Sequence, residues 1–106
     1  MESSREEPPL ETWLLGASRT LLEPNWSWPV HGLRHPPAGG TSGWYIWVGE
    51  LTDDADFFVP LHARHLIERV PEIRAHLTGP PGSRFLIAPG YVDRWQDDSL
   101  LDIQGL

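Results

Sequence analysis

The histidines are the residues in this sequence whose types and spacing come closest to a metal site. His62 and His65 lie three residues apart, so both rings could bind one ion if this segment is helical. His76 would lie about 20 Å further along a continuous helix, at about 1.5 Å per residue. Together with Arg69 and Glu72, the histidines recur at spacings of three and four, which is typical of the polar face of an amphipathic helix. We therefore interpret them as solvent-facing residues and predict no metal site.

Carboxylates and hydroxyls are plentiful, but their neighbours match no known catalytic pattern. The acidic segment 52–56 lacks the central glycine and the terminal glutamate of a calcium-binding EF-hand loop. Ser42 lies outside the Gly-x-Ser-x-Gly pattern of hydrolases. The glycines at 39–40 and 79–82 do not form a phosphate-binding P-loop, which also requires a lysine. We predict a non-enzymatic binding protein with no catalytic residues, no cofactor and no metal.

Composition restricts the class of partner. The 106 residues carry a formal net charge of −7 and contain no lysine. A nucleic-acid backbone would be repelled by this charge, whereas a basic protein would be attracted. The absence of cysteine excludes disulfides and thiolate chemistry and fits a cytoplasmic location. Because the sequence has no long apolar run and no signal-peptide pattern, we also expect no membrane partner.

The order of the apolar patterns predicts a single α+β domain over residues 10–106, preceded by a disordered acidic tail at 1–9. Apolar residues at intervals of three and four predict a helical region over 60–77, kinked or split at Pro71. We expect this region to cover one face of a mainly antiparallel sheet of four to five strands. The predicted strands are residues 12–17, Val30–Arg34, Trp44–Val48 and 84–88, with a further one near 91–95. The predicted core consists of Trp44, Ile46, Val48, Leu66, Val70, Ile73, Phe85 and Ile87.

Tryptophan is unusually frequent, with six in 106 residues. It is a common anchor at protein interfaces because it combines a large apolar area with one hydrogen-bond donor. Trp26 and Trp28 lie in a segment rich in turn-forming residues, where full burial is difficult. We therefore predict that these two residues contact a partner. Asp53, Asp54 and Asp56 are predicted as electrostatic contacts with the same partner.

Several short motifs follow one another between residues 28 and 101. They are Ser42-Gly43-Trp44, Gly49-Glu50, an acidic loop ending at Phe57-Phe58, Pro71, Pro80-Pro81-Gly82, Arg84-Phe85, and Asp93 with Trp95. In this order they resemble a family of small bacterial proteins associated with toxin–immunity systems. The resemblance implies an immunity protein that binds and neutralises a cognate toxin.

Two other functions remain open on these residues. One is a regulatory or structural interaction module of a housekeeping complex. The other is a small-ligand-binding domain that uses an aromatic pocket and Arg34 or Arg84 as an anion clamp. The strand Trp44–Val48 is apolar on both faces. It is therefore either central in the sheet or free on one side, where it would allow a homodimer.

Overall fold

A mixed six-stranded sheet forms the centre of the protein. The computed structural model describes residues 9–101, so the tail predicted for 1–9 lies outside the described residues except for Pro9. The strands are β1 (Leu14–Ser18), β2 (Val30–Arg34), β3 (Trp44–Val48), β4 (Phe58–His62), β5 (Ser83–Ala88) and β6 (Tyr91–Gln96). Their order across the sheet is β4-β1-β3-β2-β5-β6. All neighbours are antiparallel except β1 and β3, which run parallel.

Short helical segments cover one face of this sheet. The α-helix α1 spans Ala63–Arg69, and a 3₁₀ helix at Pro71–His76 follows it. Further 3₁₀ turns occupy Leu10–Thr12, Arg19–Leu22 and Asp98–Leu101. The α+β class, the dominance of antiparallel pairing and the helical layer on one face are as predicted. The expected number of four to five strands is too low, and the first strand begins two residues later than predicted.

The helical region predicted for 60–77 begins later than its sequence pattern indicates. Residues 60–62 belong to β4, which pairs with β1 along its whole length, and Leu61 packs against the core. Strand pairing therefore overrides the helical spacing at this point. The predicted interruption at Pro71 is confirmed. Val70 has the non-helical angles φ −137° and ψ 79°, because the proline ring disfavours helical geometry in the preceding residue.

The main core lies between the sheet and the helical layer. Alternate residues of the central strands point into it, and they meet the apolar stripe of α1 and of the 3₁₀ helix that follows. All eight predicted core residues are buried there. The complete buried cluster is Leu15, Ala17, Leu21, Val30, Trp44, Ile46, Val48, Ala63, Leu66, Val70, Ile73, Leu77, Phe85 and Ile87.

The Ser42-Gly43-Trp44 segment holds the start of β3 in place. The Ser42 hydroxyl donates to the Leu14 carbonyl at 2.8 Å, and the Trp44 indole N–H donates to the Leu77 carbonyl at 3.1 Å. Gly43 has φ +92°, and a Cβ added there would lie 1.9 Å from the His35 carbonyl oxygen. The backbone therefore requires glycine at this position. Ser42 thus joins the start of β3 to β1, whereas Trp44 joins β3 to the end of the helical layer.

The opposite face of the sheet has a smaller aromatic cluster. Trp47 is only 4% exposed, although it points away from the main core. Its ring stacks on His31, with centroids 5.1 Å apart, and contacts Phe58 edge-on at 6.1 Å. β3 is thus a central strand with contacts on both faces, the first of the two alternatives for this strand. Trp47 itself offers almost no surface to a partner.

Gly32 supplies a test of core packing. A Cβ at Gly32 would lie 2.3 Å from the Phe85 ring. We expect Gly32→Ala to destabilise the protein by about 1–3 kcal/mol through overpacking, measured by urea unfolding. The double variant with Phe85→Leu should lose less than the sum of the two single losses, because the smaller side chain makes room for the methyl group. Strictly additive losses would contradict the contact.

Candidate partner-binding surface

Three loops meet at one end of the sheet. β1, β3 and β5 end there, and β2, β4 and β6 begin there, as their pairing directions require. This brings together the acidic loop 52–56, the tryptophan segment 26–28 and the β5–β6 turn at 89–90. We call this region the acidic end of the sheet. The tertiary structure thus places both groups of predicted contact residues at the same end.

The acidic loop is held in a defined shape. The Asp54 carboxylate accepts a hydrogen bond from the Asp56 backbone N–H at 2.9 Å. The Arg19 side chain donates to the Asp56 carbonyl at 2.9 Å, and its backbone N–H donates to the Phe57 carbonyl at 3.2 Å. Asp53, Asp54 and Asp56 are all exposed. Three carboxylates are therefore presented to solvent beside a single guanidinium.

The tryptophan segment is partly anchored and partly open. Trp26 and Trp28 contact each other edge-on, with ring centroids 4.8 Å apart. Both are half-buried and pack against the main core. The peptide bond between Trp28 and Pro29 is cis. Because both rings pack against the core and are only half-buried, each supports the core with one side and leaves the other side accessible.

A groove of about 450 Å³ runs from Trp28 to the last strand. Its floor includes Ile87, and its walls include Trp28, Glu72, Tyr91 and Val92. The groove connects the acidic end with β6. This lining suits the long lysine or arginine side chains of a basic partner. Their alkyl stems can pack on the rings of Trp28 and Tyr91, while their charges pair with the Glu72 carboxylate.

The most exposed apolar residues lie on β6 and are absent from the contacts predicted by sequence. Tyr91 is 51% exposed, Val92 61% and Trp95 43%. Every residue of this strand is exposed, and β6 lies at the edge of the sheet with a single neighbouring strand. The sequence contained a signal for this, since Asp93 and Arg94 are adjacent and must point to opposite faces. A strand with a charge on each face has neither face buried.

The structure places His62 and His65 on different secondary-structure elements. His62 ends β4 and His65 lies on α1; both are exposed, with ring centroids 6.3 Å apart. No group of three or more His, Asp or Glu side chains within residues 9–101 is arranged to hold a metal ion. The prediction that His76 belongs to a solvated face is wrong. It is 9% exposed and stacks on Phe85 at 5.1 Å, because the 3₁₀ helix after Pro71 rotates it toward the sheet.

The two guanidinium groups considered for an anion clamp interact with groups of the protein itself. Arg84 pairs with Asp97 at 3.0 Å and lies 5.6 Å from the centroid of the Trp95 ring. Hydrogen bonds from Ser99 and Arg84 lower the pKa of the Asp97 carboxyl. Arg34 donates to the Ser42 and Gly79 carbonyls, at 2.9 and 2.8 Å. Both arginines therefore have structural roles.

The fold and this surface define a small α+β domain whose candidate site is an open surface rather than an enclosed cavity. Residues 2–97 match the model of the Imm33-like domain, which covers nearly the whole chain. The protein therefore belongs to the Imm33-like domain family, an immunity-protein-like family. No curated protein and no solved structure matches the chain. Among the described residues, no helix is long and apolar enough to cross a bilayer.

The buried His76 predicts stability that depends on pH. Burial and the nearby positive charge of Arg94 lower the pKa of His76 below its ordinary value of 6.5. The folded protein thus binds this proton more weakly than the unfolded chain. The free energy of unfolding should therefore fall as the pH drops through about 6.5 toward the lowered pKa. His76→Phe should reduce this loss, measured by urea unfolding from about pH 7 to about pH 5.

The exposed His62 provides the control for this measurement. His62→Phe should retain the pH dependence of the parent protein. His31 also has a lowered pKa, caused by burial and by Arg84, so His76→Phe is expected to leave part of the dependence in place. An unchanged pH dependence in His76→Phe would show that the ring is not buried in its neutral form.

Proposed function

We propose that this protein is an immunity protein that binds a cognate bacterial toxin and neutralises it without catalysis. The observation that carries the proposal is the match of residues 2–97 to the Imm33-like domain. Supporting features are the net charge of −7 and the acidic end of the sheet, where carboxylates and accessible tryptophan rings lie together. A cytoplasmic location is part of the same proposal.

The acidic end has the two properties that a binding surface for a basic toxin requires. Its exposed carboxylates attract a basic partner over a distance and raise the association rate. Its tryptophan rings offer apolar area that is already held in position by the core, so less conformational freedom is lost on binding. We propose Asp53, Asp54 and Asp56 as the electrostatic contacts, and Trp26 and Trp28 as the apolar anchors. The bound protein would then cover the toxin's active or substrate-binding surface.

The direct test uses the product of a toxin gene adjacent to the gene of this protein. Co-expression with this chain should restore growth of cells that the toxin alone inhibits. The purified proteins should form a complex with nanomolar affinity. The proposal fails if the neighbouring genes encode no toxin, or if the encoded toxin neither binds the chain nor loses activity in its presence. Housekeeping genes on both sides would favour a regulatory module instead.

Charge reversal in the acidic loop tests the electrostatic role. Substituting Asp53, Asp54 and Asp56 by arginine changes the formal net charge from −7 to −1. We expect association with the toxin to slow by about tenfold or more at low salt, and its salt dependence to weaken. Stopped-flow association rates at several ionic strengths measure both effects.

Single substitutions provide a matched comparison for this effect. Asp53→Arg and Glu68→Arg make the same change in charge at exposed positions, one in the loop and one on α1. Only Asp53→Arg should slow association markedly. Equal effects would indicate that net charge matters and that the loop has no special role.

Trp28→Ala tests the apolar anchor. We expect the affinity for the toxin to fall by about 2–4 kcal/mol, mainly through faster dissociation, as for tryptophans at interface hot spots. Trp13→Ala is the control, since Trp13 is also half-buried but lies at the opposite end of the sheet. Thermal unfolding of both variants separates lost stability from lost binding. Equal losses of affinity would exclude Trp28 as an anchor.

A further inference from the structure

Within residues 9–101, the outer edge of β6 presents backbone groups that have no strand partner. Asp97 N–H donates to the Gly82 carbonyl at 2.8 Å, which extends the β5–β6 ladder by one hydrogen-bonded pair. Along an antiparallel strand, the backbone N–H and C=O groups of successive residues point alternately toward the neighbouring strand and away from it. The backbone groups of Val92, Arg94 and Gln96 therefore point away from β5. No other described strand pairs with this edge.

The opposite edge of the sheet, formed by β4, has a feature that protects edge strands from pairing with another chain. β4 has Pro60 at its centre, which carries no backbone N–H and is tolerated on edge strands. β6 contains no proline, and its apolar residues are exposed. An edge strand with free backbone groups and exposed apolar residues is a template for another strand, and the charges of β6 restrict which strand can be added.

The added strand could come from a second copy of this chain, but the charges at the centre of β6 disfavour such pairing. A two-fold axis perpendicular to the sheet would place one residue of β6 opposite its own copy. Two symmetric registers would pair most residues of β6 with the second copy. In one of them Asp93 lies opposite the Asp93 of the copy, and in the other Arg94 lies opposite the Arg94 of the copy. Each would bring two like charges directly opposite each other, which is destabilising.

The same charges define a complementary strand. Asp93 faces the side of the aromatic cluster, as does its cross-strand neighbour Leu86, whereas Arg94 faces the helical layer with Phe85. A partner strand with a basic residue opposite Asp93 and an acidic residue opposite Arg94 would satisfy both charges. Apolar residues on either side would cover Val92 and Trp95. The groove that Val92 shares with Trp28 makes this edge continuous with the acidic end.

We infer that β6 accepts an extended segment of the partner protein as an antiparallel seventh strand of the sheet. The segment carries adjacent acidic and basic residues opposite Arg94 and Asp93, with apolar residues flanking them. That the partner is a toxin rests on the proposed function. The backbone pairing itself does not depend on that identity, so it can be tested separately.

A peptide tests the edge without the toxin. The probe is the end-capped hexapeptide Thr-Val-Glu-Lys-Val-Tyr, which pairs its Glu with Arg94 and its Lys with Asp93 in the antiparallel register. Added to the full chain, it should slow hydrogen exchange of the outward amides of Val92, Arg94 and Gln96 in NMR spectra. The control peptide Thr-Val-Gln-Gln-Val-Tyr should bind about fivefold more weakly, because both cross-strand charge pairs are lost.

Two results with these peptides would overturn the inference. One is the absence of binding and of amide protection at millimolar peptide. The other is concentration-dependent dimerisation of the free chain, seen by analytical ultracentrifugation and accompanied by protection of the same amides. That result would identify a second copy as the occupant.

A proline substitution extends the test to the toxin. Val92→Pro removes one outward N–H, whereas Val92→Thr keeps it and changes only the side chain. We expect Val92→Pro to weaken toxin binding by at least tenfold relative to Val92→Thr, with β5–β6 pairing intact in NMR spectra. Unchanged toxin binding by Val92→Pro would refute strand addition and leave the proposed function standing. A toxin that does not bind the parent chain would refute the function, while the peptide result would still decide the pairing.

Discussion

The contacts of the Arg34 guanidinium hold the sheet and the helical layer together at one end of the protein. The guanidinium lies 4.9 Å from the Trp13 ring centroid and 5.9 Å from that of Trp44. It also donates to the carbonyls of Ser42 and Gly79. One charged group thus connects β2, the loop before β3 and the turn that follows the helical layer. Carbonyls and aromatic faces stabilise this half-buried cation, since a charge partly removed from water without partners is costly.

Arg34 lies at the end of the sheet opposite the acidic end, and the two ends have different roles. At the Arg34 end, Ser42 joins the start of β3 to β1, and the Trp44 indole joins β3 to the end of the helical layer at Leu77. At the acidic end, the loops carry exposed carboxylates and half-buried rings. A rigid scaffold with variable loops at one end is a common arrangement for recognition, because the contacts change without loss of the core. The proposed interface and the open edge of β6 both lie outside the region that Arg34 holds together.

Sequence patterns predicted the core more reliably than the element boundaries. Phe85 and Ile87 were identified correctly because alternation along a strand reports which residues share a face. Residues 60–62 form part of β4 and not of the predicted helical region. Pro60 suits the first turn of a helix, but pairing with β1 makes this segment a strand. The regular spacing predicts a solvent-facing His76, but the turn at Pro71 changes the helical phase by an amount that a continuous pattern does not reveal.

The amino-acid sequence by itself determined the absence of thiol and lysine chemistry, the acidic charge, the α+β class and the residues of the core. These follow from residue types and local periodicity, which need no knowledge of neighbours distant in the chain. Only the tertiary structure decided that the acidic loop and Trp28 share one end of the sheet, because strand order brings these segments together. It also decided that β6 is an open edge. The exposure of Tyr91, Val92 and Trp95 follows from the position of β6 at the edge of the sheet, which strand order sets and the strand's own residues do not reveal.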